Sequence, residues 1–284
     1  MSSIAEAAMP AVAQVADRSR SVITSKLLRV VPSLGRVVLR TLLVAPLATR
    51  CASQETGRII PGDARVDASA VHAYTRNYSV YAVRSRESTE DSVELIGTLT
   101  ETVTFTSIRG DTVLVLIRDL RYGGPSAERD SLTLRRHSLA PLTWRAWRED
   151  GMYLGGAAFQ GRKVSYRGAL PGQASDTILP RPAFFEGTET LLLASLPITQ
   201  DLSAPLKVSM AGYYDIERLF TVYEATVGIL RGAPAPVGGD SAAVVTLRFG
   251  SSTYWVRRNT RVTVQWEDPP GEGGFAMRFV LREH

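Results

Sequence analysis

Ser92-Val93-Glu94-Leu95-Ile96-Gly97-Thr98-Leu99-Thr100-Glu101-Thr102-Val103-Thr104-Phe105-Thr106 reads two residues at a time. Val93, Leu95, Gly97, Leu99, Val103 and Phe105 share the odd positions, and Glu94, Thr98, Thr100, Thr102 and Thr104 fall between them, with Ile96 the exception. Successive side chains of an extended chain point to opposite faces, so this is a strand with one face on a core and the other in water. Arg109-Gly110-Asp111 turns the chain and Thr112–Arg118 returns, a hairpin. Because that triplet joins two strand-like runs, turn chemistry explains it better than an adhesion signal.

The same alternation continues outward from this hairpin. Val71–Val83 precedes it, and Ser131–Arg136, Leu142–Arg148, Met152–Phe159, Arg162–Gly168, Leu206–Tyr213, Phe220–Arg231, Ala242–Phe249, Ser252–Arg257, Arg261–Glu267 and Phe275–Arg282 follow. Short turns such as Gln160-Gly161 join neighbours, which predicts a mainly β fold, an antiparallel meander of about a dozen strands. One segment departs from it. Leu191-Leu192-Leu193-Ala194-Ser195-Leu196 is a mostly apolar run ended by Pro197, with Thr188 placed to cap it, which predicts a short helix. With Pro180, Pro182, Phe184 and Phe185 ahead of it, the segment at about 184–197 is expected to plug or roof a curved, half-open barrel. Residues 68–284 form one β domain in this reading, 53–67 a linker and 1–52 a leader.

Composition narrows the function classes. The chain has 284 residues, 44% of them hydrophobic and 21% charged, enough to bury a sizeable core. Seven of its 33 bases and two of its 28 acids lie in residues 1–50, leaving 26 of each beyond. The net charge of +5 therefore belongs to the leader, and the β domain has no basic excess with which to bind nucleic acid. One Cys and three scattered His leave no expected metal site and no cofactor.

Residues 37–48, with Arg36 and Arg40 before an uncharged run and small residues after it, have the order of a secretory signal. The run lies far from Met1, which a true start of translation near Val37 or Val38 would explain. Three readings stay open: lipid attachment at Cys51, despite Arg50 where a small residue is wanted, cleavage after Ala48 or Ala52, and an uncleaved tail. The expected location is exported, in the periplasm or tethered on its side of a membrane, with membrane association only through the leader or a lipid anchor.

No nucleophile elbow, phosphate loop or zinc-protease motif is present, and the expectation is that the protein is not an enzyme. Asp63 and Asp67 match no calcium loop, and the carboxylate pairs Glu149-Asp150 and Glu267-Asp268 are expected at hairpin tips facing solvent. The aromatics are the better lead. Trp144, Trp147, Tyr153, Phe159, Phe184, Phe185, Tyr254 and Trp255, with Leu192 and Leu196, are the candidates for an apolar groove. Trp144 and Trp147 have odd spacing and, like adjacent Tyr254 and Trp255, must split between faces unless a bulge intervenes.

Asp130-Ser131-Leu132, Ser138-Leu139-Ala140-Pro141-Leu142, Phe159-Gln160-Gly161-Arg162-Lys163-Val164, Leu192–Pro197 and Ser252-Thr253-Tyr254-Trp255-Val256 occur in an order that resembles a group of bacterial exported proteins. These are of unknown function, and their curved sheet is similar to that of the lipoprotein-localisation (Lol) carriers. The resemblance spans roughly Val71–His284. It implies an unclosed antiparallel barrel wrapped on a helix, an apolar groove that takes a lipid or other apolar ligand, and a lipidated cysteine at the position of Cys51. The alternative is an envelope interaction or structural protein with a filled core and a protein partner. A membrane barrel is disfavoured by short strands with charges on both faces.

Overall fold

Alternation that buries one face of every strand needs a sheet that curls over its own core. In the computed structural model, residues 57–283 are described apart from 87–88, 123–127, 149, 199–203, 215–218, 238–242 and 272–273. The leader and Cys51 lie outside the described residues. The strands are β1 (Arg58–Ile59), β2 (Tyr74–Arg86), β3 (Thr89–Ile108), β4 (Asp111–Tyr122), β5 (Glu128–Arg135), β6 (Pro141–Arg148), β7 (Tyr153–Gln160) and β8 (Lys163–Gly168). They continue as β9 (Ala174–Ile178), β10 (Phe184–Phe185), β11 (Leu206–Tyr214), β12 (Leu219–Ile229), β13 (Val244–Phe249), β14 (Ser252–Arg257), β15 (Thr263–Asp268) and β16 (Ala276–Leu281). The helix α1 spans Glu189–Ser195.

All belong to one large curved sheet that does not close. Its order runs β1, then β11 to β16 in sequence, then β2 to β9. Neighbours are antiparallel along the whole path from β11 to β9. The exceptions are β1 and β10, which both pair with β11 in parallel. The mainly β, half-open architecture expected from the alternation is the one observed. The stretch 53–67, read as a linker, is partly structural: β1 lies in it, and Ile59 and Val66 belong to the core. β9 carries Ala-Ser-Asp-Thr-Ile at a sheet edge and offers no apolar face to read.

The hairpin of β3 and β4 forms as its sequence directs. Arg109 and Gly110 both take positive φ, 53° and 87°, the geometry of a tight two-residue turn. The irregular Ile96 has a physical cause. Val80 pairs with Gly97 and Tyr81 with Leu95, so Ile96 is the extra residue of a β-bulge. A bulge reverses parity beyond it: Leu99 and Val103 are buried as expected, but Val93 and Leu95 are exposed. Gly97 is required here, because a Cβ would stand 2.1 Å from the Arg121 carbonyl oxygen.

α1 plugs the core rather than roofing a groove with its leucines. Leu191, Leu192, Leu193 and Leu196 are all buried, around the whole circumference of the helix. Thr188 stands at its N-cap, but the hydroxyl donates to the Phe185 carbonyl at 2.6 Å instead of accepting from the helix. The helix is tied to the sheet by polar contacts. The buried Glu101 of β3 accepts from Tyr74 at 2.6 Å and from Thr190 at 3.1 Å. The Asp67 amide donates to the Ser195 carbonyl at 2.9 Å. Among the described residues no helix is long and apolar enough to cross a membrane.

Candidate functional site

Period two carries polar side chains inward as readily as apolar ones. On β4, Leu114 and Leu116 are fully buried, and Arg118 follows on the same face. On β5, Leu134, Leu132 and Asp130 lie opposite them in register. Arg118 therefore meets Asp130 across the ladder and donates twice, at 3.1 and 2.5 Å. The two side chains are 28% and 22% exposed, because they border a cavity of about 810 Å³ inside the curve of the sheet.

Much of the lining is aromatic. Trp144, Phe185 and Tyr213 cluster, with ring centroids 5.6 Å apart for Trp144–Phe185 and 5.8 Å for Trp144–Tyr213. Tyr223, Tyr254 and Trp266 line it too, Tyr254 and Trp266 stacked at 6.4 Å. Acidic groups stand among the rings: Glu186, Glu189 and Asp268, with the pair Arg118 and Asp130. Glu186 accepts from the Tyr223 hydroxyl at 3.3 Å, and Asp268 from the Ser252 hydroxyl at 2.7 Å. The backbone N–H groups of Glu189 and Gly187 serve Glu189.

Gly187 is demanded twice: its φ is +89°, and a Cβ would stand 2.3 Å from the Arg118 guanidinium. Gly212 leaves room for Glu186 in the same way, at 2.6 Å from its Oε2.

The enclosure disfavours charge. Burial, with the neighbouring Glu189 adding to it, pushes the Glu186 carboxyl up to about 7. Burial raises Glu189 and Asp268 too, against the pull of Arg118, with the Ser252 bond also opposing the rise at Asp268. Burial also holds the Tyr254 phenol well above its ordinary range, and Glu189 adds to that. Burial alone would lower Arg118, but the Asp130 carboxylate outweighs it and keeps the guanidinium charged. Arg118 is thus neutralised by Asp130, and among the described residues no salt bridge reaches Glu186, Glu189 or Asp268.

Of the groove candidates, Trp144, Phe185 and Tyr254 line the cavity. Phe159 stands behind Phe185, with ring centroids 5.5 Å apart. Phe184, Leu192 and Leu196 are wholly in the core. Trp144 and Trp147 split as their odd spacing directs: the register shift between Ala146 and Trp147 puts its extra residue, Leu154, on β7, and Trp147 packs on Tyr153 outside the cavity lining. Trp255 faces the opposite side of β14 from Tyr254, and its indole donates to the Pro234 carbonyl at 2.9 Å. The loop carrying Pro234 covers it, which is why both members of the pair are buried.

Asp268 corrects an expectation. It faces the cavity rather than solvent, two residues along β15 from Trp266 and on the same face. Asp63 and Asp67 are engaged locally, Asp63 by Arg65 at 2.7 Å and Asp67 by the Ser69 amide at 3.1 Å. Among the described residues no cluster of His, Cys, Asp and Glu is placed to hold a metal ion.

No protein-family model matches the chain, and no curated protein matches it. Among solved structures it is similar to a β-barrel-like protein of a domain of unknown function from Brucella abortus. The match has 11% identity and covers 80% of this chain and 98% of that one, at a TM-score of 0.36. That likeness is too distant to carry a functional assignment, and it adds nothing to the likeness to Lol carriers.

Proposed function

We propose that this is a non-enzymatic binding protein of the bacterial cell envelope, exported by its leader, that holds an amphiphilic ligand inside the half-open barrel. The cavity carries the reading. At about 810 Å³ it falls within the roughly 300–1,000 Å³ of small-molecule sites, and it joins an aromatic lining to a few placed polar groups. Such space favours a ligand over the filled-core interaction protein. The resemblance of the sequence motifs to exported, Lol-carrier-like proteins agrees with a lipid-like occupant. Phe185, Glu186, Gly187 and Glu189 line the cavity, so residues ahead of and opening α1 serve the role expected of its leucines.

Native mass spectrometry of the protein purified from its own envelope fraction tests this. A bound small-molecule mass that is lost on denaturation is the expected result. A bare chain that instead purifies with one stoichiometric protein partner would transfer the assignment to the interaction protein. The same spectrum reads the N-terminus, and acylated Cys51 would establish the tether.

A further inference from the structure

We infer that the occupant carries a positively charged nitrogen, an organic ammonium on an apolar body, seated among the lining aromatic rings and the three carboxylates Glu186, Glu189 and Asp268. The inference rests on the ligand-binding reading above and gives that ligand its charge. Four acids and one base line the cavity. The base is matched by one of those acids: Arg118 donates from Nε and Nη2 to Asp130, which leaves three acids in excess over the cavity's one cation. What remains is three carboxyls in a half-open space, where a bare carboxylate is costly and a neighbouring cation would stabilise its charged form.

The aromatic lining agrees independently of the acids. Tyr223, Tyr254 and Trp266 border the same space, with Phe279 stacked on one face of Trp266, and aromatic rings attract ammonium groups, quaternary ones included, without needing a hydrogen-bond donor from them. An anionic amphiphile would gain nothing from three carboxyls and would be repelled by any that ionise, and a neutral one would not stabilise their charged form.

Titration calorimetry of the 284-residue chain with three ten-carbon amphiphiles below their micellar concentrations decides it. Decyltrimethylammonium is expected to bind at least about tenfold more tightly than decyl sulfate, a difference of about 1.4 kcal/mol. The double variant Glu186→Gln with Asp268→Asn, confirmed folded by its circular dichroism, is expected to lose that preference while its affinity for decyl maltoside stays within about twofold. Decyl sulfate binding as tightly as the cation would overturn the inference and leave the cavity a binding site. No binding by any of the three would overturn the binding reading itself. Decylphosphocholine separates sources: binding tighter than decyltrimethylammonium supports a cationic lipid headgroup, and weaker binding supports a free ammonium without phosphate.

Discussion

Two junctions bring the curved sheet around its core, and they are built differently. At the first, β16 lies against β2 in an unbroken antiparallel register from Ala276↔Val83 to Leu281↔Tyr78. At the second, β9 comes near β12 without pairing with it, and side chains span the gap. Tyr166 of β8 stacks on Tyr213 of β11 at 4.6 Å, Tyr213 meets Phe220 at 5.2 Å, and Phe220 meets Phe159 at 5.8 Å. A backbone ladder fixes the spacing of two strands near 4.8 Å and leaves no room between them. Ring contacts hold elements together at larger separations. Trp144, Phe185 and Tyr213 belong both to the second junction and to the cavity lining, which also reaches Met277 beside the first, so the cavity runs from one junction to the other.

The strongest way to break that contrast is Phe220→Ala. Truncating a buried Phe costs about 3–5 kcal/mol in urea unfolding. Amides of β8 and β9 are expected to lose hydrogen-exchange protection ahead of β2 and β3 in this variant. Phe279→Ala, at the laddered junction, is expected to cost a similar amount, with protection falling evenly across the sheet. Uniform loss in both variants would show the two junctions to be equivalent.

Gly187→Ala is expected to cost about 1–3 kcal/mol, because it forces a positive φ on a residue with a Cβ. It also displaces Arg118 and should therefore weaken any cavity ligand, which titration of the folded variant reads directly.

A third test uses pH. Glu186 faces Glu189, Arg118, Asp268 and Tyr223, and its folded-state pKa of about 7 lies above the ordinary 4.5. The folded protein therefore binds more protons at this site than the unfolded chain between those values, and stability falls as pH rises through that window. Melting temperature followed from pH 4 to pH 8 is expected to decline less in Glu186→Gln than in the parent. Equal declines would show that the carboxyl titrates normally.

The smallest effect is expected at the unpaired edge. Ile178→Lys on β9, where Ile178 is 72% exposed, should change stability by no more than about 0.5 kcal/mol and leave cavity binding intact.

The strand framework was legible because burial follows alternation, and the hairpins after β3, β6 and β7 are spelled by their turn residues. β9 was hidden because an edge strand can be polar on both faces, and β1 because two residues carry no period. Ile96 announced its bulge as a break in the pattern, but the reversed exposure of Val93 and Leu95 follows only once that bulge is recognised. Trp144, Phe185 and Tyr254 were legible as candidates for the cavity. Its polar half was not, although a signal existed. Arg118 lies two residues beyond Leu116, Asp130 two before Leu132, and Asp268 two beyond Trp266, so the same parity that placed the core places these charges inside. The junction contacts bring together residues distant in sequence, which no local pattern encodes.

The pairing of β16 with β2 also sets how this fold is reached. Arg282 donates to the Ser79 hydroxyl at 2.8 Å across 203 residues of chain, and Tyr78 reaches the Thr263 carbonyl across 185. Closing so long a loop costs entropy before any contact repays it, and proteins dominated by such pairings fold slowly. The β2–β9 meander can zip locally while the chain is still being made, but its leading edge waits for the last strand. Until β16 arrives, β2 presents an unpaired row of amides and carbonyls, so the nascent domain passes through a stage in which a chaperone that shields strand edges has something definite to hold.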